Sequence, residues 1–245
     1  MKRAFFLIVS LLFLPVMAHA VSLPTVTFGV KEAAGPQEVS TVLQVLFVLT
    51  ILSIAPAILL MTTAFTRIVI VLGFVRQAMG TQNMPPNQII IGLSLFLTFF
   101  VMSPVFNKIN DTALQPYMNK KITEKVALDN TIGAMREFMF SQVQENELQL
   151  LIDITKEKQP ANRKDISTTI LIPAFMLSEL KLAFQMGFMI YIPFLVIDMI
   201  VASVLMSMGM MMLPPIIISL PFKLLLFVLV DGWHLVVGSL MKSFG

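Results

Sequence analysis

Five charged side chains, Glu179, Lys181, Asp198, Lys223 and Asp231, stand within the almost wholly apolar stretch 170–241. The chemistry open to them is that of charge at membrane depth. Each ionised group there costs a few kcal/mol or more and persists only against protein or water. A proton relay is one use for such groups, but relays are built from carboxylate or histidine chains with access to both sides. Here His234 is the sole histidine beyond the leader region discussed below. The sequence has no cysteine, so neither a disulfide framework nor a thiolate metal site is available. No His or carboxylate cluster has metal-ligand spacing, no Ser-His-Asp set is credible, and there is no phosphate-binding Walker sequence. The expectation is a non-enzymatic protein with no cofactor and no metal.

Spacing restricts how these charges are neutralised. Glu179 and Lys181 are two residues apart, about 200° of helical rotation, so they face opposite sides. Lys223 and Asp231 are eight apart, about 12 Å along a helix axis. Each group therefore needs a partner from another helix or another copy of the chain, because an unpaired buried charge costs several kcal/mol. The pairing expected is Lys223 with Glu179 across neighbouring subunits of a ring, leaving Asp198 and Asp231 for Lys181 or another protein. Snorkelling to an interface is the plainer alternative, and it fits the two lysines better than the three acids.

Among these charges lies Gly209-Met210-Met211-Met212-Leu213-Pro214-Pro215. Unbranched thioethers broken by Gly before and Pro-Pro after read as a soft loop. Thioethers bind Cu(I), but consecutive Met without Cys or His make a poor site. Two readings stay open on the residues alone. One is core packing, in a chain with 19 Met. The other is an apolar gate: several such loops converging on an axis block water and ions and reshape around a passenger. In the second reading Gly209, Pro214 and Pro215 are the hinge of the gate.

The elements that must position these residues are membrane helices. Of 245 residues, 57% are hydrophobic and 13% charged, and the mean hydropathy is +0.86. Soluble domains are nearer a quarter charged. The apolar runs lack the period-2 alternation of barrel strands, so the expected class is all-α: an integral membrane-type protein of long kinked hairpins with a small helical insert. A net charge of +3 gives no case for nucleic acid. Residues 1–20 carry Lys2-Arg3, a short apolar run and Ala18-His19-Ala20, the pattern of a cleavable signal peptide. Residues 21–38 read as a flexible arm. Residues 39–106 read as a first hairpin, with Pro56 kinking its opening run. Arg67 and Arg76 lie toward its tip and mark the cytoplasmic side. Residues 107–165 hold nine Lys/Arg and nine Asp/Glu. Met135, Phe138, Met139 and Val143, then Leu148, Leu151 and Ile152, recur there at helical spacing, as in a solvated helical insert on the periplasmic side. Residues 166–245 read as a second hairpin, bent at Pro173 and Pro193, with the Met loop at 209–215.

Several segments together resemble the flagellar export-gate family FliP, whose virulence-secretion counterpart is SctR. The most specific is PAFMLSELKLAFQMGF at 173–188. PFLVID at 193–198, GMMMLPP at 209–215 and LPFKLLLFVLVDGW at 220–233 follow. PAILLMTTAFTRIVIV and PPNQIIIGLSLFLTFFVMSP support it in the first hairpin. The resemblance implies a ring, understood as a pentamer, that assembles with FliQ and FliR. Their complex is the entrance pore for unfolded flagellar subunits, with FlhA and FlhB as further gate components. It implies the bacterial inner membrane and flagellar basal body, contact with membrane lipid, and helices raised largely toward the periplasm. It maps a methionine gasket onto Met210, Met211 and Met212, which favours the gate over core packing. A small-solute or proton-conducting transporter is the rival reading; it expects paired substrate and ion sites in discontinuous helices, and the charge pattern of the second hairpin has no counterpart in the first.

Overall fold

The computed structural model describes residues 36–81, 84–155, 162–210 and 213–245, the side chains of 36–42 and of Lys164 excepted. The expected signal peptide and nearly all of the arm lie outside these residues, as do Met211 and Met212 of the loop. The described residues are helical throughout, with turns and no strand. Residues 1–49 and 50–245 form two units; of the first, only the helical stretch 36–49 is described.

Helix α1 (Pro36–Met61) opens with proline, whose missing N–H costs nothing in a first turn, and it passes through Pro56 without a break. The break comes at Thr62–Ala64. There the Thr63 hydroxyl accepts from the Phe65 amide (3.5 Å), so a side chain serves a backbone donor that a continuing helix would direct to the Met61 carbonyl. Helix α2 (Phe65–Ala78) is the buried axis of the fold: Ile68, Val71, Leu72, Val75 and Ala78 are enclosed on one face, as the i, i+3, i+4 pattern dictates.

Helix α3 (Asn87–Ile109) continues through a π turn (Asn110–Leu114) into α4 (Gln115–Met118). A single helical course thus crosses the 106/107 boundary at which the insert was expected to begin. Pro116 explains the π turn. It has no N–H for the Thr112 carbonyl, and the Asn130 side-chain amide donates there instead, at 2.8 Å. Helices α5 (Glu124–Gln142) and α6 (Glu145–Thr155) follow, burying Phe138 and Met139, then Leu148 and Ile152, against the main core.

Helix α7 (Thr168–Ser207) starts at Ser167, whose hydroxyl accepts from the Thr169 amide (3.2 Å), and runs 40 residues through Pro173 and Pro193. At 1.5 Å per residue it is about 60 Å long, twice the roughly 30 Å of a hydrocarbon core. It packs along α2, and at Gly187 a Cβ would fall 2.4 Å from the Phe74 ring. Helices α8 (Pro215–Leu229) and α9 (Gly232–Lys242) meet at a 64° bend. At that bend Asp231 takes a left-handed conformation (φ +51°), and a Cβ on Gly232 would strike the Phe227 ring at 2.3 Å. Among the described residues, three helical stretches are long and apolar enough to cross a membrane, or four if α8 and α9 count as one bent span. Their outward faces are apolar too: Phe96 and Phe100 on α3 and Met189 on α7 are more than 70% exposed.

Candidate functional site

Two ionic clusters tie the helices that carry the Met loop. The first centres on Arg67 of α2, which is 1% exposed, against Glu179 of α7, which is fully buried. The guanidinium grips the carboxylate with both edges: Nε donates to Oε2 at 2.9 Å and an Nη2 proton to Oε1. Its other protons go to the Gln142 side-chain oxygen (3.1 Å), the Ser243 carbonyl (2.9 Å) and the Ser243 hydroxyl (3.1 Å). All five donors are used, which the planar fork permits and a lysine could not match. The Phe244 ring lies 4.0 Å from the guanidinium carbon, adding a cation–π contact. Gln142 donates in turn to the Phe244 carbonyl (3.0 Å). Arg67 thereby joins α2, the end of α5, the middle of α7 and the residues after α9.

The second cluster lies toward the other end of α7. Lys223 of α8 is 3% exposed and donates to Asp198 Oδ2 at 2.5 Å; the carboxylate is 27% exposed. Ser219, one turn before Lys223 on the same helical face, donates to Asp198 Oδ1 at 2.5 Å. Gly80, in the turn after α2, closes over the ammonium: a Cβ there would sit 3.7 Å from Nζ. With φ +78°, Gly80 is also in a conformation that L side chains rarely adopt.

Glu179 and Lys223, expected to meet between neighbouring subunits, each have a partner on another helix of the same chain, Arg67 and Asp198. Arg67, expected toward the cytoplasmic tip of the first hairpin, lies in the core with its charge neutralised. Arg76 is half-buried and donates to the Asn87 side-chain oxygen (2.5 Å) and the Pro85 carbonyl (3.5 Å). Lys181 reaches off the apolar face to Glu147 of α6 at 2.8 Å. Asp231 is exposed at the bend and has no side-chain partner among the described residues. The sequence reading missed Ser219, Gln142 and Ser243 as members of these clusters. The serine had a legible signal, its i, i+4 relation to Lys223. The other two are brought in by tertiary packing alone.

The Met loop is bounded by two stops. Gly209 has φ +76° with open space around its α-carbon, so its role is conformational. Its amide donates to the Met206 carbonyl (3.1 Å), and the Met210 amide donates to the Leu205 carbonyl (3.0 Å). This double closure is the Schellman helix end. Pro214 and Pro215 then start α8, with Pro215 at the first helical position, where a missing N–H is harmless. Met208 and Leu213, on either side of the Met triplet, are exposed and apolar.

A helical membrane-type protein of broken hairpins, with its charges neutralised inside and a thioether loop at a hairpin end, is the class these features define. The sequence model of the FliP family matches residues 48–240, and the chain belongs to that family. It is similar to the flagellar biosynthetic protein FliP of Bacillus subtilis, 56% identical over 216 residues, covering 88% of this chain and 98% of that one. Against the protein of the same name from Pectobacterium carotovorum the identity is 51% over 210 residues, 86% of this chain and 81% of the other. For that of Caulobacter vibrioides it is 48% over 227 residues, 93% and 85% respectively.

Proposed function

We propose that this chain is a pore-forming core subunit of the flagellar type III protein export gate. It forms a ring, a pentamer by family resemblance, that assembles with FliQ and FliR in the inner membrane at the flagellar basal body, next to FlhA and FlhB. Unfolded flagellar subunits pass through the aperture. The chain supplies structure and a seal and does no covalent chemistry.

The observation that carries this reading is the framing of residues 209–215. A Schellman stop and a Pro-Pro start hold the ends of a thioether loop, while the Asp198–Lys223–Ser219 cluster fixes α7 against α8. Rigid flanks with soft, unbranched apolar side chains between them suit a seal that must block ions and then dilate around extended polypeptide. The length of α7 supports an assembly that rises well beyond the bilayer, with the insert on the periplasmic side and the Arg67 cluster locking that insert to the hairpins.

The test is electrical. Met210, Met211 and Met212 changed together to Ala should let small ions leak through assembled complexes in a planar bilayer. Native mass measurement should show assembly intact. Wild-type conductance in the triple variant would remove the gasket from the mechanism.

A further inference from the structure

On α2, α7, α8 and the α8–α9 bend, charge matching among the described residues leaves one acid and one base over. Along α2, α7, α8 and the bend, Glu179 takes Arg67, Asp198 takes Lys223, and Lys181 takes Glu147. Asp231 and Arg76 have no oppositely charged partner among the described residues. We propose that Asp231 of one copy pairs with Arg76 of the next, and that this contact sets the register between neighbouring subunits. The inference rests on the ring assembly proposed above.

The two residues flank one packed layer. Phe227 shares a buried cluster with Val75 and Met79, and its ring abuts Gly232. Arg76 follows Val75 in the chain, and Asp231 precedes Gly232. Both charges therefore leave the same layer but from different helices, α2 and the α8–α9 bend. A head-to-tail ring contact presses one patch of a subunit against a different patch of its neighbour, so a base and an acid on different elements at a common level suit such a contact.

The surroundings point to protein rather than water as the occupant. Asp231 follows in sequence Leu225, Val228 and Leu229, each more than 60% exposed. An ionised carboxylate amid so much apolar surface at membrane depth needs a cation. Arg76 is poised to supply one. Its Nη1 is held by Asn87 and the Pro85 carbonyl, both neutral, so the guanidinium keeps its charge and has donors to spare. The left-handed backbone at Asp231 fixes where the carboxylate emerges.

Charge exchange tests the pair. Asp231→Arg alone and Arg76→Asp alone should each weaken self-association about ten-fold or more, measured by native mass across a dilution series in detergent. The combined swap should recover most of that loss. Unaltered association in either single variant, or two damaged singles with no recovery in the swap, would overturn the pairing. Because the chain has no native cysteine, cross-linking gives a measurement that does not depend on disruptive variants. Copies bearing only Asp231→Cys and copies bearing only Arg76→Cys, mixed into an excess of wild-type chain, should be joined by a bismaleimide about as long as an arginine side chain. An oligomeric wild-type protein without that cross-link would sink the register contact and leave the ring standing. A monomeric wild-type protein would sink both.

Discussion

Arg67 and Glu179, 112 residues apart in sequence, form a two-edged ion pair in the driest part of the molecule. The geometry makes the pair interdependent. With Glu179 present, all five guanidinium donors are matched; without it, a buried cation loses its counter-charge. Breaking such a pair from one side costs about 3–5 kcal/mol, whereas replacing both partners by apolar residues of similar volume is often neutral. Glu179→Ala is therefore expected to lower the thermal unfolding midpoint in detergent sharply. The double change Arg67→Met with Glu179→Leu should lie well above that single variant. A double variant no more stable than Glu179→Ala would mean that the pair does more than neutralise itself.

Asp198 and Lys223 make the milder case, because the carboxylate is partly open. Lys223→Met leaves Asp198 a hydrogen bond from Ser219 and some access to solvent, so its cost should fall below that of Glu179→Ala, at about 2 kcal/mol. Ser219→Ala removes one bond to a charged acceptor, worth about 1.5–3 kcal/mol. If Lys223→Met proved costlier than Glu179→Ala in the same melting assay, solvent access to Asp198 would not be what softens the loss.

How far the sequence foretold this arrangement can be read from these residues. Long apolar runs foretold helices, and the helical period of Phe138, Met139, Leu148 and Ile152 foretold the helices found at 124–142 and 145–155. The rule that each membrane-depth charge needs a partner from elsewhere was legible too, since rotation per residue forbids Glu179–Lys181 and rise along the axis forbids Lys223–Asp231. Which partner was not legible. Arg67 reads as a flank of an apolar run, and only the close approach of α2 to α7 at Gly187 carries it into the core beside Glu179. Pro56 and Pro193 leave their helices unbroken, while the break at Thr62–Ala64 rests on a hydroxyl bond to the backbone that no hydropathy pattern encodes.

The approach at Gly187 predicts a steric effect of its own. A methyl group there would lie 2.4 Å from the Phe74 ring, and overpacking of this kind costs about 1–3 kcal/mol. Gly187→Ala should destabilise, and Phe74→Leu, which withdraws the ring, should rescue part of the loss in the double variant. Strict additivity of the two changes in a thermal melt would show that the ring is not the obstacle.

Gly209 separates conformation from packing at the loop itself. Nothing lies within 4 Å of a Cβ built there, so any effect of substitution comes from φ +76° alone. Alanine pays about 1 kcal/mol in the left-handed region, asparagine less, and a β-branched residue more. The strain falls on the Schellman end that sets the direction in which the Met triplet leaves α7. Ion leak through assembled complexes should therefore rise in the order Asn, Ala, Val at position 209, while self-association stays at the wild-type level. Equal tightness for all three variants would show that the seal does not depend on how α7 ends.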